Sequence, residues 1–135
     1  MVLFGSSAPF LSDINLILQY ITLVLLVIGY IKRKPFKTHG YLMIIVLLIT
    51  VGTTLAIMAP ALLIAFSVYG YLMLAHAAIG TIAMILGCLF AIRFILAVRN
   101  QKPLTCGTKT MMRLALILWV MPMLSGTIEY VILYL

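Results

Sequence analysis

Four long apolar stretches divide the chain, and seven of its eleven charged residues fall between them. The runs cover residues 13–31, 41–66, 71–98 and 112–135. A helix rising about 1.5 Å per residue needs about 20 apolar residues to cross a hydrocarbon layer about 30 Å thick. Each run is long enough, and together they leave almost nothing for a soluble domain. The pattern predicts one all-α integral membrane domain over residues 1–135, with four transmembrane helices in an antiparallel bundle.

Composition agrees. Of 135 residues, 66% are hydrophobic and 8% charged, with a mean hydropathy of +1.31; soluble domains carry about 25% charge. The formal net charge of +7 raises the question of nucleic acid, but its distribution answers it. Lys32, Arg33, Lys34 and Lys37 lie between runs one and two, and Arg93, Arg99, Lys102, Lys109 and Arg113 flank the connection between runs three and four. The first tail and the second connection hold no Lys or Arg. This asymmetry predicts both basic loops in the cytoplasm and both termini outside. The partners of that charge are then lipid headgroups, not nucleic acid. In the first run the basic residues follow the apolar stretch and no small-residue cleavage site precedes the next, so it reads as a retained helix and not a signal peptide. Cys88 and Cys106 stand in no paired pattern, which argues against a disulfide, a zinc site or covalently attached haem.

Local signals refine the helices. Ser12 or Asp13 is placed to cap the first, Pro35 interrupts the connection that follows and ends the first helix, and Thr38 is placed to cap the second. Asn15 and Gln19 share a face that should look toward protein or headgroups. Pro60 should bend the second helix, a tight turn is expected at residues 67–70, and Pro122 with Gly126 should kink the fourth. Tyr69, Tyr71, Tyr130 and Tyr134 read as interfacial anchors at one membrane surface, Tyr30 and Tyr41 at the other. The repeat of Gly-Tyr-Leu-Met at Gly40 and Gly70 is too short to define an inverted repeat.

The chemistry-bearing residues are few. At 100° per residue His76, Gly80, Ala83, Gly87 and Ala91 fall in one wedge of the third helix, a face suited to close contact with a helix or a flat ligand. His39, Met43, Val46, Thr50 and Thr53 form a stripe on the second. Glu129 reads as the only acid in an apolar interior, at a depth similar to His76, and a contact between the two is expected. An intramembrane ionisable group marks either a functional site or a structural hydrogen bond that fixes helix register. Imidazole with thioether suits haem iron or a cuprous ion, and Met58, Met73, Met121 and Met123 fall near the level of His76. The candidate cofactor-binding residues are therefore His76, Glu129, Met73 and His39, and the candidate metal ligands His76, Met121 and Met123. Haem b, copper and no cofactor all remain open. His39 lies near the opposite surface, too far to share one iron with His76, and suits a lipid phosphate or a haem propionate. No nucleophile elbow, P-loop, HExxH or dinucleotide motif is present, so the chain offers no catalytic machinery of a familiar soluble type.

The terminal helix carries Trp119, then Ser125-Gly126 and Tyr130. With His39 followed by Leu42-Met43, and with His76 ahead of small residues, it resembles the CtaM-like family of small four-helix prokaryotic membrane proteins. The similarity spans about residues 39–135. It departs from the family at the end of the second helix and just before the fourth, where further histidines are replaced by residues 65–69 and by Thr108-Lys109. The resemblance implies a cell-membrane protein that works with haem–copper terminal oxidases of the respiratory chain, as an accessory subunit or a haem- or copper-handling maturation factor. Rival readings are a purely structural small subunit of a larger membrane complex and a b-type electron-transfer protein.

Overall fold

The computed structural model describes residues 7–104 and 109–135, and within them every side chain except those of residues 61, 64–70, 72, 109 and 133. It is all-α: α1 (Phe10–Ile31), α2 (Phe36–Thr53), a π-helical turn (Thr54–Met58), α3 (Ala59–Arg99) and α4 (Lys109–Tyr134). Four stretches are long and apolar enough to cross a membrane, namely Phe10–Ile31, Phe36–Met58, Met73–Arg99 and Thr110–Ile132.

The helix starts differ from expectation, and proline is the reason. Both α1 and α2 begin directly after a proline, Pro9 and Pro35, whose extended ψ of 142° delivers the chain into the first turn. The Pro9 carbonyl accepts from the amides of Ser12 and Asp13, and the Pro35 carbonyl from that of His39. No side-chain cap is made at either start, so Ser12, Asp13 and Thr38 do not cap these helices. Ahead of Pro60 the chain widens into the π-helical turn, where the Ala59 amide reaches back five residues to the Thr54 carbonyl. Pro60 has no N–H to give the Ala56 carbonyl, and a π-turn absorbs such a break.

The expected turn at residues 67–70 is not a break in helical hydrogen bonding, because α3 runs through it. The chain nevertheless reverses there. A Cβ added to Gly87 would lie 3.0 Å from Leu47 Cδ1, although a straight helix would set residues 40 apart at about 60 Å. Leu47 and Gly87 lie equally far on either side of residue 67, which centres the reversal there.

A small apolar core of Leu26, Val46, Leu47 and Ala83 is buried together with polar groups, and large apolar side chains face outward. Asp13 and Thr22 are buried, at 0% and 3% exposure, while Leu48, Leu55, Leu63, Ile31 and Ile132 are each more than 60% exposed. That is the arrangement a hydrocarbon solvent selects, with apolar side chains outward and polar groups turned toward one another. The threonines are satisfied within their own helices: Thr22, Thr50, Thr53 and Thr127 donate to the carbonyls of Leu18, Val46, Ile49 and Met123.

Glycines set the closest approaches. The small-residue wedge of α3 does meet another helix, α4. Added Cβ atoms would lie 3.9 Å from Pro122 at Gly80 and 2.6 Å from the Trp119 ring at Gly87, and Ala83 between them is 4% exposed. A Cβ added to Gly40 would overlap the Phe94 ring, against whose edge Tyr41 packs at 5.4 Å. Gly87→Leu must displace the Trp119 indole, and overpacking of this kind costs about 1–3 kcal/mol. The variant is expected to melt at a lower temperature than the parent in detergent, followed by circular dichroism, whereas exposed Ile85→Leu should melt with the parent.

Candidate functional site

Two cavities lie between the helices, one toward each end. The larger, of about 340 Å³, is bounded by the end at which the termini meet, and the smaller, of about 180 Å³, by the end carrying the basic connections. The termini are joined where the Ser7 amide donates to the Tyr134 carbonyl. Trp119 alone lines both cavities and stands between them. Each cavity holds one histidine, His76 in the larger and His39 in the smaller.

The two imidazoles are held alike. His39 Nδ1 lies 2.8 Å from the Gly29 carbonyl; a carbonyl only accepts, so Nδ1 carries the proton. His76 Nδ1 lies 2.8 Å from Ser125 Oγ, and the Ser125 hydroxyl donates to the Pro122 carbonyl at 3.1 Å. With its one proton committed to Pro122, Ser125 accepts from His76, so Nδ1 is again the protonated nitrogen. In both rings Nε2 has no hydrogen-bond partner among the described residues. A ring anchored through Nδ1–H with Nε2 free is the arrangement of a metal-ligating histidine.

Glycine makes room for both anchors. A Cβ at Gly126 would meet His76 Cε1 at 3.1 Å and Gln19 Oε1 at 3.5 Å. A Cβ at Gly29 would meet His39 Nδ1 at 3.7 Å. The imidazoles therefore lie close against helix backbones, which limits their swing.

The expected contact between His76 and Glu129 is replaced by the one with Ser125. Gly80 faces Pro122, so four residues earlier on α3 His76 faces Ser125 and Gly126, one turn short of Glu129. Glu129 lines the same cavity, and its buried Oε1 has no hydrogen-bond partner among the described residues; the same holds for Asn15 Oδ1 and Gln19 Oε1. Three buried acceptor oxygens, from α1 and α4, thus border one space together with the free nitrogen of His76. No Lys or Arg is among its described lining residues.

Met73 and Met123 line this cavity, as do Met58 and Met84. Met121 does not: it is 53% exposed on the outer face of α4, two residues and about 200° around the helix from Met123. Cys106 lies outside the described residues, and Cys88 is exposed. Among the described residues no three His, Cys, Asp or Glu side chains gather as a metal cluster.

Glu129 is not the sole interior acid. Asp13, one turn into α1, is fully buried and accepts a hydrogen bond from the Tyr130 hydroxyl. Tyr130 is correspondingly 7% exposed, a tie between α1 and α4 in place of an interfacial anchor. The chain matches no family model, no curated protein and no solved structure, so the likeness to the CtaM-like family stands on the residues quoted for it.

Ser125→Ala leaves His76 Nδ1 without its acceptor. In ¹⁵N-histidine spectra of the parent, His76 is expected as the Nδ1–H tautomer, and the variant as a mixture with Nε2–H. Tyr130→Phe removes the hydrogen bond to Asp13 and is expected to destabilise the protein by about 2 kcal/mol, measured by thermal unfolding in detergent.

Proposed function

We propose that this protein is a membrane-embedded copper-handling factor that receives a cuprous ion in the larger cavity. The observation that carries the reading is His76, anchored through Nδ1 and presenting Nε2 to a cavity shared with the thioethers of Met58, Met73, Met84 and Met123. Imidazole and thioether form the soft donor set that favours Cu(I) over harder ions. Glu129, Asn15 and Gln19 supply acceptor oxygens around it that have no partner among the described residues. When bound, the ion supplies a soft electrophilic centre that thiolates or imidazoles of an acceptor can take over. The chain itself desolvates the ion, holds it by neutral ligands that release readily, and keeps it from lipid.

Haem is the less fitting guest here. Its iron suits His76 and a methionine, but its propionates need cationic or donor partners, and the described lining offers an unpartnered carboxylate and no Lys or Arg. The helices form an antiparallel bundle, with both termini outside the cell membrane and the basic connections in the cytoplasm. The cavity then opens toward the outer surface. The partner is a haem–copper oxidase or a related respiratory complex that this protein serves as a maturation factor or accessory subunit; the resemblance in residues 39–135 supports that placement.

Competition between the full-length protein in detergent and a chromogenic cuprous chelator tests the reading. One Cu(I) per chain is expected, with affinity at least tenfold weaker in His76→Ala and in the double variant Met73→Leu/Met123→Leu. Stoichiometric copper uptake unchanged by these variants would overturn it, as would a Soret band on haem reconstitution that requires His76 while copper fails to bind.

A further inference from the structure

We infer that the smaller cavity is a binding site for an anionic phospholipid, whose phosphate sits between Arg33 and Arg93 and whose acyl chain enters the apolar depth. This goes beyond the copper reading and is independent of it, since only Trp119 is common to the two cavities.

Arg93 lies within the span Met73–Arg99, six residues from its end and so about 9 Å inward along the helix. The 27-residue span exceeds the about 20 residues a bilayer core requires, so Arg93, which is exposed, lies near the basic end of the hydrocarbon where a guanidinium meets headgroups. No ion pair to Arg93 or Arg33 is formed among the described residues. Both line the cavity mouth with His39. They come from the α1–α2 connection and from α3, elements distant in sequence, so the fold itself gathers the two charges. His39 Nδ1–H is committed to the Gly29 carbonyl, which fixes the imidazole beside the two guanidinium groups.

Behind the charges the cavity is apolar, lined by Leu26, Val46, Phe90 and Met112 down to Trp119. A basic rim over an apolar slot between helices matches an amphiphile with an anionic head. Free phosphate satisfies the rim and leaves the slot unfilled; phosphatidylcholine fills the slot but brings its own cation to the rim. The favoured guest carries net negative charge and a chain. Arginine presents planar donors that grip phosphate oxygens in pairs.

The test uses the full-length protein, delipidated in detergent, with added dioleoylphosphatidylglycerol, dioleoylphosphatidylcholine or inorganic phosphate. Thermal shift and native mass spectrometry provide the readouts. Phosphatidylglycerol is expected to raise the melting temperature and to remain bound as one lipid per chain, with the other two giving little shift. Arg33→Gln/Arg93→Gln should weaken that binding at least tenfold. Lys37→Gln/Lys102→Gln removes the same charge from residues that do not line the cavity and should leave it unchanged. Circular dichroism of both double variants establishes that each is folded. Equal binding of phosphatidylcholine, the whole shift reproduced by inorganic phosphate, or equal loss in the two double variants would each overturn the proposal. Should Arg33→Gln/Arg93→Gln fail to fold, Arg33→Lys/Arg93→Lys replaces it: charge is kept and the paired donors are lost, so lipid affinity should fall, and undiminished affinity would count against the site.

Discussion

Hydrocarbon gives a polar side chain no solvent, and that constraint governs this molecule. Each polar group within a span must find a partner inside the protein or be held toward a guest. The threonines turn back on their own carbonyls, Asp13 takes the Tyr130 hydroxyl, and His76 reaches Ser125. What remains is informative. Asn15, Gln19 and Glu129 keep buried oxygens without partners, and all three border the cavity that holds the free nitrogen of His76. A buried acceptor left unmade costs about 1–3 kcal/mol, so three around one space are a substantial demand for a donor or a cation.

The two cavities share a construction and differ in charge. In each a histidine is anchored through Nδ1, once on a carbonyl and once on a serine that is itself bonded to a carbonyl. Around His76 the other groups are acceptors and thioethers, whereas around His39 they are guanidinium groups and an apolar slot. The same anchored ring therefore sits among acceptors and thioethers in one place and beside two guanidinium groups in the other. Trp119, packed on Gly87, keeps the two spaces apart.

The spans were legible because length and hydropathy alone decide what can cross a bilayer. Close packing of the His76–Ala91 wedge was legible too, since small residues at helical spacing have few other uses in lipid. The register was not. A one-turn difference between Ser125 and Glu129 depends on how α3 and α4 are joined through residues 100–108 and on how Trp119 seats against Gly87. Asp13 misled because an acid in a first turn ordinarily caps its helix, and only the fold brings Tyr130 over it. Asn15 and Gln19 were visible as a polar face, but that both line the space beside His76 requires α1 to lie on α4. The connection at residues 67–70 carries turn-forming residues yet keeps helical hydrogen bonding. Composition does not separate a helical reversal from a loop.

The central claim is that His76 and thioether side chains converge on one soft cation. Copper-edge X-ray absorption on the full-length protein loaded with Cu(I) tests this most directly. The account predicts a first shell containing both imidazole nitrogen and methionine sulfur, with the imidazole contribution lost in His76→Ala and the sulfur diminished in Met73→Leu/Met123→Leu. A shell of oxygen and nitrogen alone, or one unchanged by His76→Ala, would contradict it.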